Sequence, residues 1–232
     1  MKTIGLLGGM SWESTALYYR QINELVKEKL GALHSAKIAM VSVDFQEIEE
    51  LQHKGQWDAT GEILSKAAEQ VQAAGANFLL ICTNSMHKVA PQIETAIDIP
   101  ILHIADATAN KIKADGIRTI GLLGTRFTME QDFYAGRLRD THGLNVLLPL
   151  KADRDLVHRV IYEELVLGVV RNESRREYLR IMDSLRAEGA EGVIEGCTEI
   201  VMLVQQKDTD IPLYDTTSIH AEAAVEMALS SD

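Results

Sequence analysis

The chain has 232 residues, 46% of them apolar and 25% charged, enough for one globular unit or two small joined lobes, and a composition that excludes disorder and fibrous repeats. A formal net charge of −11, with no run of Lys or Arg to interrupt it, argues against nucleic acid and membrane surfaces as partners. Two distant cysteines form neither a disulfide framework nor paired zinc-ligand spacing, so no metal is expected and a reducing cytoplasm is the expected location.

The start, MKTIGLLGGM, runs from a short apolar stretch into SWES without a small-residue cleavage pattern, so no secretory signal is expected. Further along, TIGLLG, KIAMVSVDF, NFLLICT, IPILH, RTIGLLG, LNVLL, GVIEGCT and IPLYD read as strands. Between them lie ESTALYYRQINELVKEKL, WDATGEILSKAAEQVQAAG and ESRREYLRIMDSLRAEG, which have helical period and end near a capping Gly. This alternation points to an α/β fold with parallel sheets flanked by helices.

The pattern also repeats. IGLLGG at 4–9 recurs as IGLLGT at 120–125, AAGANFLLICTNS at 73–85 answers AEGAEGVIEGCTE at 187–199, and IPILHIADATA at 99–109 answers IPLYDTTSIHA at 211–221. The offsets of 116, 114 and 112 residues are nearly constant, which implies two pseudo-symmetric lobes facing one cleft. The expected division is 1–104 plus 213–232 for the first lobe and 105–212 for the second.

Alignment of Gly75 with Gly189 sets Cys197 opposite Thr83 and leaves Cys82 one residue out of register. One residue of displacement turns a side chain to the other face, so Cys82 reads as a small buried hydrophobe. Ligands of open α/β sheets bind at strand ends, which makes candidates of the turns Gly8-Gly9-Met10-Ser11, Thr83-Asn84-Ser85, Gly124-Thr125-Arg126 and Cys197-Thr198-Glu199. Their backbone N–H groups, with Asn84, Ser85 and Thr198, suit a carboxylate or phosphate, although Ser and Thr at such places also serve as helix caps. No dinucleotide or Walker motif is present. Cys197 is expected where a strand gives way to a helix, whose dipole would lower the thiol pKa; an inert core cysteine is the alternative at this position. His87, His103 and His220 have no metal spacing and read as structural, or at most as supports behind the residues that touch a ligand.

GGMSWEST, the T-N-S-x-H turn at 83–87 and GCTE at 196–199 together resemble the aspartate/glutamate racemase family of cofactor-independent amino-acid racemases, along the whole chain. The resemblance implies two α/β lobes with the active site between them, usually in a homodimer, and no cofactor such as pyridoxal phosphate. It also implies two cysteines on opposite faces of the substrate; by position the second is Cys197 and the first is replaced by Thr83. Met10, Asn84, Ser85, Thr125 and Thr198 fall where such enzymes hold the amino acid, and Gln52 is a candidate reader of its side chain. Several aspartate racemases carry a Lys in the segment matching YEELVLG at 162–168, which has none here, so the expected substrates are aspartate and glutamate or a broader polar set. A malonate-type decarboxylase using Cys197 as proton donor, and a non-catalytic amino-acid sensor, stand as alternative functions.

Overall fold

The computed structural model describes residues 1–230. In chain order its regular elements are β1 (Ile4–Gly8), α1 (Trp12–Leu30), β2 (Ile38–Ser42), α2 (Phe45–His53), α3 (Trp57–Ala73), β3 (Phe78–Ile81), α4 (Ala90–Glu94), α5 (Ile104–Ala114), β4 (Thr119–Gly124), α6 (Arg126–Glu130), α7 (Asp132–Asp140), β5 (Asn145–Leu147), α8 (Lys151–Glu163), α9 (Asn172–Ala187), β6 (Gly192–Gly196), α10 (Ile200–Leu203), β7 (Leu213–Asp215) and α11 (Thr216–Leu229). Short 3₁₀ turns at Ser85–Val89, Leu165–Leu167 and Gln206–Asp208 complete them. The chain divides into two compact units, Met1–Ile104 with the segment from Thr217 onward, and Ala105–Thr216.

The first unit holds a parallel sheet in the order β2-β1-β3, and the second a parallel sheet in the order β5-β4-β6-β7. Strand pairing repeats the sequence offsets residue by residue. Ile4 lies beside Phe78 as Ile120 lies beside Gly192, and Leu79 bridges to Ile101 as Val193 pairs with Leu213. Even the proline crossings agree: the carbonyl of Pro100 accepts from Leu79 N–H at 2.9 Å, and that of Pro212 from Val193 N–H at 2.8 Å.

IPILH departs from expectation. It makes only the one bridge at Ile101, where a strand was expected, because α5 begins at Ile104 and turns the chain away from the ladder. The three expected helices are present as α1, α3 and α9, and Gly31, Gly75 and Gly189 follow their ends at φ of 75°, 91° and 106°. Those angles lie in the left-handed region that glycine occupies without a Cβ penalty.

In the first unit the sheet separates two apolar clusters. Ile4, Leu6, Phe78, Leu80 and Cys82 pack with Tyr18 and Ile22 of α1 and Ala221 and Val225 of α11, while Leu7, Leu79 and Ile81 pack with Ile48 of α2 and Leu64, Ala68 and Val71 of α3. The period-two alternation along β1 and β3 thus feeds two cores from one sheet, and both strands read as continuous apolar runs.

The core of the second unit contains one acid. Glu195, the next-to-last residue of β6, is 3% exposed and lies beside Asp215 of β7 in the parallel register, with no hydrogen-bond partner for its Oε1 among the described residues. Burial, reinforced by the Asp215 charge, pushes its carboxyl up to about 8. The folded state therefore holds this proton more tightly than the unfolded chain, whose Glu titrates near ~4.3. The resulting stability is complete below that value and is lost as pH rises through about 8. Glu195→Gln, which cannot ionise, should match wild type at pH 4 and exceed it in melting temperature by about 5–10 °C at pH 8.5. A difference that stays constant across that range in thermal unfolding scans would show that Glu195 is already charged in the fold.

Candidate functional site

Two strand exits carry the candidate residues, one in each unit. In the first, Cys82 N–H donates to Leu7 O at 2.9 Å, extending the pairing of β1 with β3 by one residue beyond Ile81, and the chain then leaves the ladder at Thr83. Beside it runs the loop from Gly8 to Ser11. Gly9 sits at φ 95°, and a Cβ there would lie 2.2 Å from the Val43 carbonyl oxygen, so both backbone angle and space require glycine. Gly9 N–H donates to Thr15 Oγ1 at 2.8 Å, Ser11 caps α1 by accepting from Ser14 N–H, and Ser14 Oγ donates to the Cys82 carbonyl at 3.1 Å. The loop after β1 is thereby fastened to the exit of β3.

Thr83 and Ser85 are half-buried at this exit, while Asn84 and Met10 are buried. Met10 packs in the cluster that includes Ile48. Gln52, one turn further along α2, is 2% exposed and its Nε2 has no hydrogen-bond partner among the described residues. A buried amide donor left unsatisfied costs about 1–3 kcal/mol, so this nitrogen is poised for an acceptor. Cys82 is fully buried among Phe78, Leu80 and Tyr18, and burial pushes its thiol far above the ordinary range. It has no access to a ligand.

In the second unit β4 and β6 end side by side, Gly124 against Gly196. A Cβ on Gly196 would lie 2.8 Å from the Leu123 carbonyl oxygen, so the two exits approach as closely as they do because that position carries no side chain. Thr125 follows β4 and caps α6, its Oγ1 accepting from Thr128 N–H at 3.4 Å and lying 3.3 Å from Thr128 Oγ1. Its side chain thus has the capping role that the sequence left open. Cys197, Thr198 and Glu199 follow β6, each half-buried, and Cys197 Sγ donates to Glu199 Oε2 at 2.9 Å.

This bond reverses the expectation for the thiol. Burial first, and then the Glu199 carboxylate, push Cys197 well above its usual value, against a smaller opposing effect of the Thr198 and Glu199 backbone N–H groups. The expected helix dipole is weak here because α10 has four residues, and the turn after Thr83 is 3₁₀. Glu199 stood in the GCTE motif without a role assigned to it; a carboxylate two residues after a cysteine was the available signal, and only the fold shows that the side chain turns back to the thiol.

Position by position, the first exit gathers Met10, Thr83, Asn84 and Ser85, and the second gathers Thr125, Cys197 and Thr198. Gln52 belongs to the first unit on a separate helix. The segment 162–168, where a Lys was missing, ends α8 and forms a 3₁₀ turn with exposed Val166 and Leu167, while Glu164 accepts from Ser174 Oγ at 2.6 Å. Among the described residues no group of three or more His, Cys, Asp or Glu is arranged to hold a metal ion, and no helix is long and apolar enough to cross a membrane.

Two parallel α/β units, each with a polar turn at the same strand exit, define the class of fold to which the known relatives also conform. The sequence profile of the Asp/Glu/hydantoin racemases matches residues 7–224, and the chain belongs to that family. A candidate Asp/Glu racemase from Yersinia pestis is 56% identical, with 99% of this chain and 100% of that one covered at a TM-score of 0.95. PH1733 of Pyrococcus horikoshii OT3, an aspartate racemase homologue, is 33% identical over 99% and 100% of the two chains at a TM-score of 0.87. The broad specificity amino-acid racemase RacX of Bacillus subtilis strain 168 is 18% identical over 98% of each chain.

Alkylation tests the thiol assignments. Iodoacetamide should label Cys197 and leave Cys82 unmodified in the folded protein, as read by peptide mass spectrometry. Glu199→Gln removes a charge that holds the thiol proton in place, so the midpoint of the Cys197 labelling rate should move to lower pH. An unmoved midpoint would mean that Glu199 does not govern the thiol.

Proposed function

We propose that the protein is a cofactor-independent amino-acid racemase that inverts the α-carbon of small polar amino acids, with Cys197 and Thr83 acting on opposite faces. The observation that carries the reading is a thiol held by a carboxylate at the strand exit equivalent to that of Thr83. A cysteine can be tuned to exchange a proton with carbon, whereas a threonine alcohol stays protonated at working pH. From the L-enantiomer, the Cys197 thiolate takes the α-proton, the C–H electron pair passes into the carboxylate as an enediolate, and Thr83 or a water that it orients delivers a proton to the other face; solvent reprotonates the alkoxide or hydroxide so formed as Glu199 releases the proton it took from Cys197. The reverse direction uses the thiol as donor.

The thiolate arises when the Cys197 proton passes to Glu199 along the existing 2.9 Å hydrogen bond. A substrate ammonium beside this acidic pair would lower the cost of that transfer. Charge developing on the substrate carboxylate needs preorganised donors, and the backbone N–H groups at 84–85 and 198–199, with Asn84 and Thr198, are the candidates; such stabilisation is commonly the largest catalytic contribution. Met10 would flank the substrate at the first exit and Thr125 at the second. Gln52, with its unpartnered Nε2, would donate to an oxygen of the substrate side chain. A neutral donor suits hydroxyl and amide side chains as well as carboxylates, in keeping with a broad polar range.

Enantiomers have equal free energy, so kcat/KM must be equal in the two directions, and replacement of a cysteine by Thr83 slows both alike. A homodimer in the cytoplasm is the form in which we expect the enzyme to work.

α-Proton exchange in deuterated water, over a panel of L- and D-amino acids including Asp, Glu and homoserine, tests the proposal. Deuterium at Cα with inversion is expected. Cys197→Ser should reduce it by at least about 100-fold, and Thr83→Cys should accelerate it. Release of carbon dioxide from a malonate-type acid, with no exchange of any amino acid, would establish the decarboxylase in its place; binding without either reaction would establish a sensor. Gln52→Leu should raise KM about tenfold to a hundredfold, the equivalent of one lost hydrogen bond, with a smaller change in kcat.

A further inference from the structure

We infer that His87 is a positioning residue that sets the direction of Thr83; this rests on the reading of Thr83 as the group opposite Cys197. His87 is 2% exposed in the 3₁₀ turn that follows the first exit. Its Nδ1 lies 2.8 Å from the carbonyl oxygen of Thr83, and its Nε2 lies 3.3 Å from the backbone nitrogen of Ile104. A carbonyl can only accept, so Nδ1 carries the hydrogen; a backbone amide can only donate, so Nε2 presents its lone pair. Both contacts select the same neutral tautomer.

The ring is thus a strut with a direction, from the first residue of α5 to the carbonyl of Thr83. At its other end Thr83 N–H donates to Ile81 O at 2.8 Å, so the backbone of the residue is held on both sides just where it leaves the sheet. Fixing the peptide plane between Thr83 and Asn84 also fixes the line along which the Thr83 side chain projects and the direction of the Asn84 N–H. Nothing in the β1–β3 ladder does this, because the pairing ends one residue earlier.

Two further imidazoles lie beside the strut. The ring of His103 lies 4.4 Å from that of His87 and the ring of His220 lies 6.1 Å away, both buried. His220 has Nδ1 2.8 Å from Tyr18 Oη and Nε2 2.7 Å from the Leu102 carbonyl, so Nε2 donates and Nδ1 accepts from the phenol. Burial, with His87 nearby, lowers its pKa to about 3. Leu102 and Ile104 are therefore each fastened by one imidazole, which ties the crossing into α5 to the exit of β3, to α1 and to α11.

An alcohol that must deliver a proton depends on alignment more than on acidity, and a displacement of about 1 Å can cost on the order of 100-fold. Cys197, in the other unit, makes none of these contacts. Loss of the strut should consequently separate the two faces of the reaction: the proton handled by Cys197 still exchanges, while inversion fails.

The test compares His87→Asn, whose amide NH₂ can occupy the Nδ1 position and donate to Thr83, with His87→Gln and His87→Ala, which cannot. Exchange of the L-substrate α-proton and inversion are measured together in deuterated water. Inversion in His87→Gln and His87→Ala should fall at least about tenfold while exchange stays within about threefold of wild type, and His87→Asn should retain most of both. If all three variants lose exchange and inversion in proportion, His87 serves the fold alone and the inference fails while the racemase reading stands. If wild type shows neither exchange nor inversion, the reading of Thr83 and Cys197 fails and takes this inference with it. On the unmodified protein, ¹⁵N–¹H correlation spectra should place the His87 proton on Nδ1; a proton on Nε2 overturns the strut without recourse to any variant.

Discussion

The parallel pairing of a central strand with the strand that carries the candidate proton-transfer residue is the constraint on which both exits depend. In each unit the ladder continues to the last position that two backbones can share, Cys82 with its N–H on the Leu7 carbonyl and Gly196 beside Gly124, and the next residue is released. Thr83 and Cys197 are those residues. A slip of one position in the first ladder would send Cys82 outward and Thr83 into the core, because successive side chains take opposite faces. The apolar clusters resist that slip. Ile4, Leu6, Phe78 and Leu80 face α1 and α11, while Leu7, Leu79 and Ile81 face α2 and α3, so a shifted β3 would exchange its whole complement. Core packing therefore decides which side chain meets solvent, although no core residue is itself reactive.

Around equivalent backbones the two exits have acquired opposite electrostatic character. The first is neutral: an alcohol, an amide, and imidazoles whose hydrogen bonds hold them uncharged. The second is acidic, with the Glu199 carboxylate against the thiol. Backbone N–H groups free of nearby negative charge favour an anion at the first exit, and the Glu199 carboxylate favours a cation at the second.

The repeat was the part of the architecture most legible in the sequence, since strand pairing preserves spacing. Offsets of 116 and 114 residues in the text reappear as Ile4–Phe78 and Ile120–Gly192 in the register. The burial of Cys82 was legible for the same reason, through its position in a period-two pattern. Side-chain geometry was not. That Glu199 folds back on Cys197 depends on a rotamer, and that α10 is too short to supply a dipole depends on where its helix stops. IPILH had the composition of a strand but lies where α5 claims the chain after three residues, a competition between neighbours that a window of apolar residues does not register. The amide nitrogen of Gln52 has no partner among the described residues, on the face of α2 that is buried. Each of these is a property of contacts between segments, whereas pattern reports what a segment prefers by itself.

A thiol whose pKa is raised can look like a poor choice for a base, yet the physics of a two-way reaction runs otherwise. Each unit by which the pKa rises costs about 1.4 kcal/mol to form the thiolate at a given pH, and returns part of that as greater basicity once formed. The same rise makes the thiol a more persistent donor for the reverse direction, where it must hold its proton until the carbanion arrives. On the racemase reading both directions cross one transition state, so a group that serves only as an excellent base has no advantage over one that sits between the two roles. The Glu199 carboxylate meets this requirement locally, because it can receive the proton of Cys197 and give it back without involving solvent. The alcohol at the other exit has no such partner in its own turn, so its contribution rests on where it points. Rate is then limited by geometry on the Thr83 side and by charge on the Cys197 side, two constraints that can be altered separately.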